Sequence, residues 1–98
     1  MLINKKFVLC RYYGSRENVF ADGEISNNSL TIKVEISKEG LSEPELTTIY
    51  FDEKNTRKLF NIVKVRDFES RFCGVEGLKV FEQFCKDNKI ESKIKRDE

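Results

Sequence analysis

The sequence contains no histidine and no tryptophan, and its three cysteines form no closely spaced pair. Histidine is a common general base and metal ligand, and nucleophilic catalysis by serine or cysteine usually depends on a histidine partner. Zinc sites need cysteines or histidines at short spacings, and phosphate-binding loops need clustered glycines, which are also absent. We therefore expect no catalytic residue, no metal and no cofactor, and we interpret the chain as a protein without enzymatic activity.

The chain also lacks a strong excess of charge of either sign, because its 18 basic and 17 acidic residues leave a net charge of +1. General binding of nucleic acid needs a basic surface, which this average composition does not supply. Hydrophobic residues make up 39% of the 98 residues and include eight phenylalanines. This content suffices for one core, so residues 1–98 are predicted to form a single compact domain, with a frayed tail over 95–98.

The cysteines, Cys10, Cys73 and Cys85, are odd in number, and each lies beside apolar residues. We expect three reduced thiols that act as small buried hydrophobes in a cytoplasmic protein. Residues 1–6 have no long apolar region after their lysine pair, which predicts that there is no signal peptide. No apolar run approaches the ~20 residues of a membrane span, so we expect no membrane partner.

The spacing of apolar residues changes from two-residue to helical near Asp52. Before it, the alternation predicts strands over 6–13, 18–25, 29–37 and 45–51. In the first strand this alternation places residues 7, 9, 11 and 13 on one face, and residues 8, 10 and 12 on the other. Asn27-Asn28 suits a tight hairpin, because asparagine tolerates positive φ, and Gly23 would thin the second strand or mark a bulge.

After Asp52, which is predicted to cap a helix N-terminus, the helical spacing indicates a first helix and then a second one over 78–88. Segment 65–72 fits either a helical continuation or a short strand. A final edge strand, protected by lysines, is predicted over 90–95. The whole pattern predicts an α+β fold in the order ββββααβ, with a mostly antiparallel sheet of four or five strands and two helices packed on one face.

Two further groups of residues invite a functional interpretation. The helical region is so rich in phenylalanine that one or two rings are predicted to remain as an exposed patch for a partner. The rings concerned are Phe60, Phe68, Phe72, Phe81 and Phe84. Asp22 and Glu24 share one face of a strand, but a single pair of this kind is common by chance and is interpreted as a solvated surface. The same interpretation applies to Asp67 and Glu69.

The candidate binding residues are Arg11, Tyr12, Tyr13 and Arg16, in which two arginines bracket two tyrosines at a strand end. Tyrosine and arginine are frequent anchors in protein interfaces. The same residues suit nucleic acid, since tyrosines stack on bases and arginines bind phosphate. A second basic stretch lies over 89–96, but acidic neighbours accompany both stretches and weaken them as phosphate sites.

These observations favour a small non-catalytic protein-binding module, such as an inhibitor, an immunity-type protein or an adaptor of bacterial or phage origin. The expected partner is another protein, and an available sheet edge makes a homodimer an alternative. A nucleic-acid-binding accessory protein that uses the cluster at 11–16 is the second hypothesis. A small-ligand sensor, which would need a pocket between sheet and helices, is the third.

Overall fold

Five antiparallel strands form one sheet, in which each strand lies beside its neighbours in sequence, in the order β1-β2-β3-β4-β5. The computed structural model describes residues 3–73 and 76–97. Its elements are β1 (Lys5–Tyr13), β2 (Glu17–Ser26), β3 (Ser29–Lys38), β4 (Glu45–Phe51), α1 (Glu53–Ile62), a 3₁₀ turn (Val65–Asp67), α2 (Phe68–Phe72), α3 (Gly77–Asp87) and β5 (Lys93–Asp97). The predicted α+β class is confirmed, with the order ββββαααβ and one short helix more than expected.

The helical segments account for the differences from the predicted boundaries. Segment 65–72, for which helix and strand were both open, is a 3₁₀ turn followed by α2. The last strand begins later than predicted, at Lys93, and the predicted frayed tail is instead paired up to Asp97, which lies opposite Leu46. Residues 74 and 75, which lie between segment 65–72 and the second predicted helix, and residue 98 of the predicted tail lie outside the described residues.

The turn between β2 and β3 has the predicted form. Asn27 and Asn28 have φ values of 53° and 64°, which is the left-handed conformation that a two-residue hairpin of the right twist requires. This turn sets a regular register, in which Ile25 lies opposite Leu30 and Val19 opposite Ile36. Their side chains therefore share the face of the sheet that the helices cover.

Strand β1 contains a β-bulge, which makes the predicted assignment of its faces wrong in part. The register shifts between Val8 and Cys10, so that Leu9 and Cys10 are both buried. A bulge adds one residue to one strand and changes which residues point to which face. Phe7 consequently points toward the helices and contacts the rings of Phe60 and Phe68, while residues 11 and 13 lie on the opposite face.

Gly23 gives the Phe7 ring the space that it occupies. A Cβ atom at position 23 would lie 2.6 Å from the ring atom Cζ of Phe7, which is closer than carbon atoms approach. Phe7 and Gly23 are partners in the β1–β2 register. Gly23 therefore lies beneath an aromatic ring. The bulge, which was one of the two expectations for this position, is on the neighbouring strand β1.

Helix α1 is attached to the sheet by polar side chains at its first turn. Asp52 caps it as predicted, since its carboxylate accepts a hydrogen bond of 2.9 Å from the backbone N–H of Asn55. The buried Thr56 hydroxyl accepts a bond from the N–H of Leu30 and donates one to the carbonyl of Phe51, both at 3.1 Å. These contacts satisfy buried backbone groups of β3 and β4, which would be costly to leave unpaired.

We expect the cap at Asp52 to weaken as the pH falls. The backbone hydrogen bond from Asn55, followed by the bond from the Asn55 side chain, holds the pKa of the Asp52 carboxyl below its usual value. A depressed folded-state pKa gives stabilisation that is complete above the unfolded pKa, about 3.9, and is lost as the pH falls through the folded value. Urea unfolding midpoints from roughly pH 2 to pH 6 would measure this loss. The Asp52→Asn variant keeps an acceptor without a charge and should show a weaker pH dependence, and an identical dependence would contradict the interpretation.

The phenylalanines of the helical layer pack against one another and onto the core. Phe68 and Phe81 are buried, Phe60, Phe72 and Phe84 are half-buried, and ring centroids in this group lie 5.0–6.0 Å apart. The Arg71 guanidinium lies 5.4 Å from the Phe72 ring and 4.9 Å from the Phe84 ring. None of the five rings is exposed, but Phe60, Phe72 and Phe84 stay half-buried, so the predicted patch is present only as partly accessible rings, two of which lie beside Arg71.

The prediction of three reduced cysteines is also wrong. Cys10 in β1 and Cys73, which follows α2, form a disulfide, and their Cα atoms are 5.2 Å apart although 63 positions separate them in sequence. Cys85 is free and buried, and burial together with nearby Glu82 raises the pKa of its thiol to about 12. A thiol with a raised pKa is a poor nucleophile, so Cys85 has the packing role that was expected of all three.

Candidate functional site

One face of the sheet packs against the helices, and the opposite face, here called the open face, carries exposed and half-buried side chains. The register places residues from all five strands in rows across it. Its members are Lys6, Val8, Arg11, Tyr13, Asn18, Phe20, Asp22, Glu24, Thr31, Lys33, Glu35, Ser37, Leu46, Thr48, Tyr50, Lys93 and Lys95. The open face is thus a broad surface that mixes apolar groups with charges of both signs.

An aromatic cluster lies on the open face at the β1–β2 end. The half-buried Phe20 ring is flanked by the Tyr13 ring at a centroid distance of 5.3 Å and by the Arg11 guanidinium at 5.5 Å. Arg11 is held in place by Asp22, with Nη2 and Oδ1 2.6 Å apart, and donates a 2.8 Å hydrogen bond to the carbonyl of Cys10. Because Tyr13 is 72% exposed, the cluster combines an arginine that is held by an ion pair with an accessible aromatic ring.

The four candidate binding residues do not form one group. Arg11 and Tyr13 come together in the cluster, whereas Tyr12 points to the helix side and packs, half-buried, against the core. Arg16 is exposed at the β1–β2 turn, where its carbonyl accepts a 2.8 Å hydrogen bond from the N–H of Glu39. Phe20 is the member that the sequence analysis missed, and its place opposite Arg11 becomes evident only once the bulge in β1 is known.

The acidic pair Asp22 and Glu24 is neutralised by basic partners on β1. Asp22 binds Arg11, as described, and the Glu24 carboxylate lies 3.8 Å from the Lys6 ammonium group. Across residues 3–73 and 76–97, no group of three or more acidic or cysteine side chains is arranged to hold a metal ion. The interpretation of this pair as a charged surface accords with these contacts.

One cavity between the sheet and helices α2 and α3 is small and apolar. The cavity there has a volume of about 40 Å³, and its lining includes Leu9, Val34, Phe68, Leu78 and Phe81. For comparison, an engineered apolar cavity of about 150 Å³ binds benzene. The Cys10 sulfur in this lining belongs to the disulfide. The described lining therefore offers no ionisable group to orient a polar substrate.

No helix in the described part of the chain is both long and apolar enough to cross a membrane. Comparison of the chain with protein-family models, with curated proteins and with solved structures finds no match. The argument for function therefore depends on the chemistry of the surfaces described above.

Proposed function

We propose that this protein is a non-catalytic protein-binding module, of the inhibitor, immunity or adaptor kind, that contacts its partner with the open face. The observation that carries the proposal is the cluster of Tyr13, Phe20 and Arg11. Tyrosine and arginine are enriched among residues that dominate binding energy, and they act best when ordered before binding. The ion pair with Asp22 gives Arg11 this order, and the contact with Phe20 orients Tyr13.

The charges of the open face favour a protein partner over nucleic acid. Lys33 has Asp22 opposite it on β2, and Phe20 has Glu35 opposite it on β3. Carboxylates next to the arginine and the lysines repel a phosphate backbone, whereas alternating charges suit a protein surface with complementary signs. Binding of nucleic acid through this cluster, the second hypothesis, lacks the continuous basic surface that it needs.

The test is capture of partners from native lysate, with and without nuclease, by the wild-type protein and by Tyr13→Ala. We expect a nuclease-resistant protein that Tyr13→Ala binds about tenfold more weakly, which corresponds to 1.4 kcal/mol. Val80→Ala is the matched control, because Val80 is 48% exposed on α3, a helix of the covered face. Equal capture by wild type and Tyr13→Ala would contradict the proposal, and a captured species that nuclease removes would favour nucleic acid.

A further inference from the structure

A groove separates helix α3 from the edge strand β5. Its volume is about 520 Å³, and its apolar lining residues are Ile49, Phe81, Cys85, Ile90 and Ile94. The lining also contains Glu82, Lys86, Glu91, Ser92 and Arg96, and the guanidinium of Arg96 on β5 lies 3.2 Å from the carboxylate of Glu82 on α3. Ile94 is 40% exposed although it points to the helix side of the sheet, opposite Ile49. The apolar part of the lining therefore extends to the free edge of the sheet through Ile94.

The edge of β5 is available for backbone pairing. Among the described residues, β5 pairs only with β4, so the N–H and C=O groups along its other side have no strand beside them. Residues 93–96 are all exposed. An edge strand beside a helix is the arrangement in which an added peptide strand gains affinity from main-chain hydrogen bonds and specificity from side-chain pockets.

Two lysines on the open-face side of this edge lack the salt bridges that several basic residues of other strands form, although Arg96, on the helix side of β5, pairs with Glu82. On β1 and β3, Lys6, Arg11 and Lys38 each form a salt bridge with a carboxylate of a neighbouring strand. Lys93 and Lys95 instead lie opposite Tyr50 and Thr48, and neither forms a salt bridge with the described residues. A strand added next to β5 would supply the missing partners if it placed carboxylates beside these two lysines, since opposite charges on paired strands are favourable.

A second copy of this chain meets that requirement poorly in the registers centred on residues 94 and 95. Antiparallel pairing of two β5 strands centred on Lys95 places Lys95 opposite Lys95. Pairing centred on Ile94 places Lys93 opposite Lys95. Like charges directly opposite one another destabilise a strand pair, so the lysines disfavour an edge-to-edge dimer in these two registers.

We propose that the β5 edge and the α3 groove bind an extended peptide of a partner protein in which acidic residues alternate with apolar ones. The acidic side chains lie on the open face beside Lys93 and Lys95, and the apolar side chains cover Ile94 and enter the groove. Successive side chains of a strand point to opposite faces, which matches this division. The site shares Lys93 and Lys95 with the margin of the open face, but it contains no residue of the aromatic cluster that carries the proposed function.

The test measures fluorescence anisotropy with two labelled octapeptides, one of alternating Glu and Val and one of alternating Lys and Val. We expect the Glu peptide to bind about tenfold more tightly at low salt, with a preference that declines as salt screens the charges. In the double variant Lys93→Glu/Lys95→Glu the preference should reverse. N-methylation of alternate backbone amides of the Glu peptide should abolish binding, because it removes the donors to β5.

Three outcomes would overturn this inference: equal affinity for the two peptides, binding unaffected by N-methylation, or no binding at millimolar peptide. Absence of binding would mean that Lys93 and Lys95 only protect the edge strand from unwanted pairing. A dimer that forms through β5, seen by sedimentation, would assign the edge to a second copy and also overturn it. The Tyr13→Ala variant should bind the Glu peptide like wild type, so failure here and failure of the open-face proposal are separate results.

Discussion

Reduction of the disulfide between Cys10 and Cys73 is expected to lower the free energy of unfolding by roughly 4 kcal/mol. The 63 positions between the cysteines make a large loop, and cutting the cross-link restores the freedom of that loop to the unfolded chain. Urea unfolding followed by circular dichroism, with and without a dithiol reductant, would measure the change. The double variant Cys10→Ala/Cys73→Ala should be destabilised and should no longer respond to the reductant.

Cys85 provides the control for this experiment. The Cys85→Ala variant removes the one free thiol and should keep the full response to the reductant. Alkylation of the unfolded, non-reduced wild type should label one cysteine per chain, and alkylation after reduction should label all three. Three labelled cysteines before reduction, or an unchanged unfolding midpoint after it, would count against the disulfide.

Replacement of Phe68 by alanine is expected to destabilise the protein by about 3–5 kcal/mol, the usual cost of removing a buried aromatic ring. Phe68 is 2% exposed, and its ring lies within 6.5 Å, centroid to centroid, of Phe7, Phe60, Phe72 and Phe81. Small domains have total stabilities of about 5–15 kcal/mol, so this one change should remove a large part of the total. Thermal and urea unfolding would both report it.

Tyr13→Ala is the matched control, because it also truncates an aromatic residue. Tyr13 is 72% exposed, so its loss should change the free energy of unfolding by less than about 0.5 kcal/mol. Phe68→Leu should fall between the two, since leucine fills part of the space. If Phe68→Ala and Tyr13→Ala unfold at the same urea concentration, Phe68 is not the centre of the aromatic core.

Local chemistry explains why much of the fold is predictable from the sequence. The alternation over residues 29–37 can bury its apolar side chains only as a strand with one covered face. Asn27-Asn28 and Asp52 act through their own backbone and near neighbours, so the turn and the helix cap follow from residue type and position. The adjacency of β1 to β4 is consistent with their connections of two to six residues, which place consecutive strands side by side, whereas β5 joins β4 only after the helical segments.

The features that sequence reasoning missed all depend on contacts across the fold. The bulge at Val8–Cys10 is set by packing on both faces of β1, and strict alternation gives no sign of it. The extra residue of the bulge allows Phe7 to lie on the face that packs against the helices while Arg11 lies on the open face, where it contacts Phe20. The pairing of Cys10 with Cys73 likewise requires α2 to lie against β1, a contact between segments far apart in the chain.

The disulfide also bears on where the protein works. Disulfides persist in oxidising compartments and are rare in the cytosol of most organisms. The cytoplasmic location expected from the sequence stays a prediction, and a Cys10–Cys73 disulfide would be unusual there. The alkylation experiment, repeated on acid-quenched source cells, would show which redox state the protein has where it acts.

The link between residues 10 and 73 turns most of the sheet and α1 into a covalent ring. The long connection between β3 and β4, residues 39–44, lies within this ring and is exposed throughout. A protease that cuts there opens the ring but leaves two fragments joined through sulfur, so a nicked molecule stays in one piece until it meets a reductant. Helix α3 and strand β5 lie beyond the ring, and only non-covalent packing and hydrogen bonds keep them folded onto it.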